Sequence, residues 1–182
     1  RVLVLSMIYF YLGMAIVIAL IVYFYYFSLR KKKIPRTNSL YTDALNAMVN
    51  GDLSNAVGLL KQVVKQDSNH VRAYLQLGNI LRKENPEQAL KIHQSLTVRP
   101  NLSKDIQVDI HTALAEDYGF LSNYKKAIEE AKLVLAIEKR NLWALNFLIN
   151  ISVENKDWEE AIRCTKQLQK VTGKTTSEDE AK

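Results

Sequence analysis

The chain has 182 residues, one cysteine and a formal charge of +6. A single cysteine excludes an internal disulfide framework and any cysteine-rich zinc or iron site. The positive excess is local: Arg1, Arg30, Lys31, Lys32, Lys33 and Arg36 hold six of the 25 basic groups, and the rest balance the 19 acids. Beyond residue 36 the chain is neutral, without the basic stripe a nucleic-acid binder carries on its folded domain.

Residues 2–29, VLVLSMIYFYLGMAIVIALIVYFYYFSL, contain no charge. As a helix they extend about 42 Å at 1.5 Å per residue, and a bilayer core needs only about 20 residues. The apolar run is too long for a secretory signal, and its basic flank follows rather than precedes it. Tyr23, Phe24, Tyr25, Tyr26 and Phe27 suit the headgroup boundary. The expectation is one permanent transmembrane helix over 1–29, with tilt or interfacial overlap absorbing the extra length. Ala15 and Ala19 offer a small-residue contact for another helix. The basic linker 30–36 holds Arg30, Lys31, Lys32, Lys33 and Arg36, against Arg1 alone on the other side. The positive side stays cytoplasmic, so the N-terminus is expected outside and the remainder in the cytoplasm, its basic cluster on anionic lipid. The chain opens on Arg rather than Met.

The stretch 114–127, LAEDYGFLSNYKKA, sets a pattern found again along the chain. Tyr124-Lys-Lys-Ala127 returns as Trp158-Glu-Glu-Ala161, Leu53-Ser-Asn-Ala56 and Pro86-Glu-Gln-Ala89, the alanines lying 33, 38 and 34 residues apart. Leu77-Gly78 and Leu114-Ala115 share a second pair of positions. A period near 34 with this code resembles the tetratricopeptide repeat, two antiparallel helices per unit. The resemblance implies that the small residues allow close approach of the two helices, and that Tyr74, Tyr118, Tyr124 and Trp158 fill the space between. The fold class is therefore all-α: a transmembrane helix, then an α-solenoid of about four repeats over 37–175, divided 37–70, 71–103, 108–141 and 142–175, with a polar tail at 176–182. The second repeat lacks one residue in its inner turn, at Asn85-Pro86, and residues 104–107 are an insertion expected to lengthen the next helix. Asn50-Gly51 suits a helix C-terminus. Asp52, Asn123 and Asp157 occupy equivalent N-cap positions, and Asp157 with Glu160 forms a capping-box pattern. After the fourth repeat either the tail frays or the protein continues.

No catalytic constellation emerges. His70, His93 and His111 lack ligand spacing, His93 falling near the packed face of its helix. The pairs Glu129-Glu130 and Glu159-Glu160 fall on faces expected to be solvated, and Cys164 is expected to be a buried small hydrophobe. Phosphate loops, nucleophile elbows and zinc helices are missing, so no catalytic residue, metal or cofactor is expected. Binding is what remains. In this fold the first helix of each repeat lines a concave groove. By register the groove presents Tyr41, Thr42 and Leu45, then Arg72, Gln76, Asn79 and Lys83, then Asp109, Thr112 and Glu116, then Trp143, Asn146 and Asn150. Asparagine amides suit a peptide backbone, and Trp143 suits an apolar anchor. The Lys, Asn and Arg set that clamps a C-terminal carboxylate in some repeat proteins is not present.

One stretch goes further. Residues 75–96, LQLGNILRKENPEQALKIHQSL, resemble the second repeat of the lipopolysaccharide assembly protein B family. So do the order of membrane helix and basic stop, the start at Tyr41-Thr-Asp-Ala-Leu45, and the lengthened linker before a Leu-Ala-x-Asp-Tyr-like pattern. The resemblance covers about residues 30–170. It implies a bacterial inner-membrane adaptor linked to a membrane-anchored AAA+ protease, which helps regulate turnover of the deacetylase that commits carbon to lipopolysaccharide. Family members carry more repeats and end in a rubredoxin-like module, and this chain has neither. The expected partners are proteins in the groove, a membrane protein and the bilayer at the first helix, and no nucleic acid. The alternative is an assembly or regulatory subunit of another membrane or envelope complex.

Overall fold

The computed structural model describes the backbone of residues 2–29 and 36–173, and side chains at 11–24 and 37–173. Arg30, Lys31, Lys32, Lys33, the side chain of Arg36 and the tail 176–182 lie outside the described residues. The chain divides into two compact units, Arg1–Ser39 and Leu40–Lys182.

Helix α1 spans Val2–Leu29, 28 residues without a charge. Every described side chain in it is exposed, including Leu20 at 61% and Phe24 at 75%. Among the described residues no helix is long and apolar enough to cross a membrane; the side chains described in α1 stop at 11–24, fewer than the roughly 20 residues a crossing takes.

The remaining helices are α2 (Arg36–Val49), α3 (Leu53–Gln66), α4 (Val71–Leu81), α5 (Pro86–Thr97), α6 (Lys104–Phe120), α7 (Tyr124–Ile137), α8 (Leu142–Glu154) and α9 (Trp158–Thr172). From α3 onward each helix packs on the next, and α4 also packs on α6. This chain of neighbours, with first helices touching across repeats, is the packing of an α-solenoid.

The turns inside the hairpins explain the regularity. After α2, α6 and α8 the chain passes through one left-handed residue: Gly51 (φ 78°), Ser122 (φ 56°) and Lys156 (φ 59°). The following amide reaches back five residues: Asp52 to Ala47 (2.9 Å), Asn123 to Tyr118 (2.8 Å) and Asp157 to Ser152 (2.8 Å). This is the Schellman closure of a helix C-terminus. The same residues, Asp52, Asn123 and Asp157, then cap the next helix through their side chains. In the second hairpin, one residue shorter, Asn85 bonds back to Leu81 and caps α5 without a left-handed residue before it. The capping box at Asp157 is only half made. Asp157 accepts from the Glu160 amide, but the Glu160 carboxylate is drawn away to Lys132 and Arg163.

The anchor residues are buried: Ala56, Ala89, Ala127 and Ala115 at 0%, Ala161 at 7%. Ala89, Ala115 and Ala127 lie in core clusters with Leu60, Leu77, Leu96, Leu114 and Leu148. Tyr118 is buried, and Tyr74 and Tyr124 pack half-buried against the same cluster. Trp158 differs: it is 59% exposed, as is Leu53 at the equivalent position of the first repeat, at 49%. Cys164 is buried. Burial pushes its thiol above the usual range, and the Glu160 carboxylate adds to the rise.

Two of the acids expected in solvent are not there. Glu130 on α7 pairs with His111 Nδ1 on α6 at 2.7 Å. Glu160 on α9 meets Lys132 of α7 at 3.0 Å, with its side chain 12% exposed. Burial opposes ionisation of Glu160, but hydrogen bonds from Arg163 and Lys132 outweigh it and hold the carboxyl below its ordinary range. Helical register places these acids on the outer flank correctly. It does not reveal that another helix brings His111 to Glu130 and Lys132 to Glu160.

Candidate functional site

The first helices of the repeats meet along one face, and the side chains there enclose a cavity of about 220 Å³. Its rim is Tyr41 from α2, Arg72, Gln76 and Asn79 from α4, and Asp109, Thr112 and Glu116 from α6. Leu75 and Ala113 form its buried floor. All seven rim residues were expected in the groove from register; the two floor residues were not singled out. Burial pushes the Asp109 carboxyl up; Arg72 works against the rise, while Asp105 and Glu138 reinforce it. The Tyr41 hydroxyl is likewise pushed up by burial, with Arg72 opposing.

The other groove candidates are distributed differently. Lys83 is exposed and lines neither this cavity nor the next. Asn146 is exposed and donates its amide to its own helix, at Leu142 O, 2.8 Å. Trp143 is half-buried, stacked on Phe147 with ring centroids 5.0 Å apart, and packs into the α7–α8 clusters. Asn150 lines a second cavity of about 420 Å³ between α6 and α8, with Glu116, Phe120, Phe147, Ile151 and Glu154. Thr42 is exposed and Leu45 half-buried on α2, outside both cavities.

Beneath the first cavity lies a feature that register alone does not reveal. Arg82, at the end of α4, donates from Nε to Asp117 Oδ1 (2.6 Å), and through its terminal nitrogens to Glu116 (2.7 Å), Asn79 Oδ1 (2.8 Å) and Ala113 O (3.2 Å). Asp117 is fully buried. Its other oxygen meets His93 Nδ1 of α5 at 2.6 Å, and His93 Nε2 faces Leu75 O of α4 at 3.2 Å. Both ring nitrogens thus face oxygen atoms, one on α6 and one on α4. The imidazole lies on Gly78: a Cβ built there would stand 2.3 Å from His93 Nε2. Residue 78 must therefore lack a side chain for His93 to sit flat between α4 and α6. The Leu-Gly-Asn, Arg, Ile-His-Gln and Asp-Tyr elements noted in the sequence are thus parts of one buried polar network joining α4, α5 and α6. The signal available beforehand was an acid, Asp117, beside Tyr118 on a helix whose neighbouring residues form the core. A buried carboxylate needs a partner.

Other polar groups have simple structural roles. His70 caps α4, its Nδ1 accepting from the Ala73 amide at 3.1 Å, and its ring packs 4.6 Å from that of Tyr41. Among the described residues no group of three or more His, Cys, Asp or Glu side chains gathers to hold a metal.

Repeated antiparallel helix hairpins with small-residue contacts and a side-chain-lined groove define a tetratricopeptide-repeat solenoid. The same fold is found in MamA (residues 41–end) from Desulfovibrio magneticus RS-1, at TM-score 0.63 and 18% identity over 81% of this chain and 80% of that one. A tetratricopeptide repeat protein from Parabacteroides merdae matches at TM-score 0.65 and 19% identity, over 77% and 55% of the two chains. Pseudomonas aeruginosa pilF matches at 0.66 and 11%, over 76% and 62%. At these identities the likeness is one of fold. In sequence, the chain resembles lipopolysaccharide assembly protein B: it is 26% identical over 132 residues to that of Escherichia coli K12, covering 72% of this chain and 34% of the relative. The Haemophilus influenzae protein of the same name is 26% identical over 142 residues, covering 72% and 35%. The chain therefore spans about a third of the length of the curated relatives it matches. No protein-family profile matches it.

Proposed function

We propose that this chain is a non-catalytic, membrane-anchored repeat adaptor of the lipopolysaccharide assembly protein B type. In this reading α1 crosses the bacterial inner membrane, N-terminus outside. Arg30, Lys31, Lys32, Lys33 and Arg36 hold the cytoplasmic lipid surface, and the array from residue 37 to 175 presents its groove to protein clients in the cytoplasm. The observation that carries the binding role is the cavity formed by Tyr41, Arg72, Gln76, Asn79, Asp109, Thr112 and Glu116 across three successive first helices. Trp143, Asn146 and Asn150 extend the face along α8, and Lys83 borders it. The anchor is supported by 28 consecutive uncharged residues followed by the basic cluster. Tethering raises the effective concentration of anything the groove holds, so weak groove contacts suffice.

The sequence likeness over 72% of the chain supports a role in lipopolysaccharide synthesis, exerted through a membrane protease. A crosslinking pull-down from membranes with the full chain as bait tests this. A membrane AAA+ protease and a lipid-A pathway enzyme are expected together, and a chain lacking residues 1–36 is expected to lose the protease. Recovery of an unrelated envelope complex with neither protein overturns the lipopolysaccharide assignment.

A further inference from the structure

The second cavity differs from the first in chemistry. Its floor is apolar: Phe147, backed by the stacked Trp143 ring, with Ile151 and with Phe120, which is 53% exposed. Gly119 borders that floor, 3.4 Å separating a Cβ built there from the Phe147 ring, an ordinary contact. The rim is acidic. The Arg82 guanidinium is engaged by buried Asp117 and by one oxygen of Glu116. Glu154, exposed on the far wall, has no ion-pair partner among the described residues. An aromatic floor under a carboxylate rim suits a long aliphatic stem ending in a cation, the stem on the rings and the cation between the acids.

We propose that the cavity between α6 and α8 docks a basic peptide segment of a protein partner, taking a Lys or Arg side chain over Phe120 and Phe147 between Glu116 and Glu154. The inference rests on the membrane-anchored reading for its source. Cytoplasmic flanks of membrane proteins are enriched in Lys and Arg, and a tether that holds the array at the membrane holds this acidic cleft among such segments. Asn150, beside the cleft, supplies an amide for the peptide backbone.

The test uses the full chain in a non-ionic detergent and a short fluorescein-labelled peptide of alternating Lys and Leu, followed by anisotropy. The peptide is expected to bind, and to weaken as salt rises. Glu154→Gln should weaken it about threefold and Glu154→Lys about tenfold. Phe120→Ala should weaken it about fivefold by removing floor area. Both sites are exposed, so circular dichroism should stay unchanged. A peptide with Glu in place of Lys should not bind. Equal affinity for wild type and Glu154→Lys overturns the site, as does equal binding of the Glu peptide. If Glu154-dependent binding holds while the pull-down fails, the cleft stands and the adaptor reading falls. If the pull-down succeeds while the peptide ignores Glu154, the reverse follows.

Discussion

Asp117→Ala should cost the array about 3–5 kcal/mol, the usual result of removing one member of a buried ion pair. The carboxylate is fully buried and serves two partners on two different helices, Arg82 of the α4 end and His93 of α5. Its loss leaves Arg82, only 14% exposed, with Glu116 as its one carboxylate partner, and leaves Nδ1 of the fully buried His93 without the oxygen it faces. Urea unfolding followed by Trp143 and Trp158 fluorescence reads the effect in the last repeat, and hydrogen exchange reads it in α4–α6. The damage should concentrate at the junction of the second and third repeats, because a solenoid is stabilised between nearest neighbours. The pair Asp117→Ala with Arg82→Met should cost clearly less than the two single changes added together, as contacting residues do in a double-mutant cycle. A midpoint for Asp117→Ala within error of wild type would show that the network adds nothing to stability.

Gly78→Ala should also destabilise, although Ala is the better helix former by about 1 kcal/mol. The new methyl would stand 2.3 Å from His93 Nε2, 2.6 Å from Cε1 and 2.9 Å from Cδ2. A flexible side chain would swing aside. His93 cannot without giving up Asp117 and the Leu75 carbonyl. Overpacking of this kind costs about 1–3 kcal/mol, and a lost buried hydrogen bond adds about 1–3 kcal/mol. The net expectation is a loss of about 2 kcal/mol, seen as a lower urea midpoint. By contrast Gly58→Ala, where a Cβ meets nothing within 4 Å, should raise stability through helix propensity. Stabilisation at both positions would show that His93 has room to move.

How much of this was legible beforehand depends on what each feature requires. The repeat and its anchors were legible because close helix approach permits only small residues, and that restriction recurs near every 34 positions. The rim of the first cavity was legible because helical register places Arg72, Gln76, Asn79 and, on the next first helix, Asp109, Thr112 and Glu116 on one face. Register does not say what lies across the gap. It placed Trp143 on the groove face without showing that its ring stacks on Phe147. It placed Trp158 in a filling role, while the ring is 59% exposed. It put Glu130 and Glu160 in solvent, where His111 and Lys132 in fact reach them. The Arg82–Asp117–His93 network is the largest omission. Its members come from three helices separated by 11 and 24 residues along the chain, and only the fold brings them within 2.6 Å. The family-like motifs contained all three residues without revealing that they touch.

The central claim is that the face built by α4, α6 and α8 holds protein partners. Photocrosslinking tests it most directly: a photoreactive amino acid at Thr112, on the cavity rim, compared with one at Lys125, exposed on α7, each in the full chain in native membranes. Discrete protein adducts are expected from Thr112, and none of the same size from Lys125. Adducts from Lys125 alone would place the partner on the outer helices and contradict it.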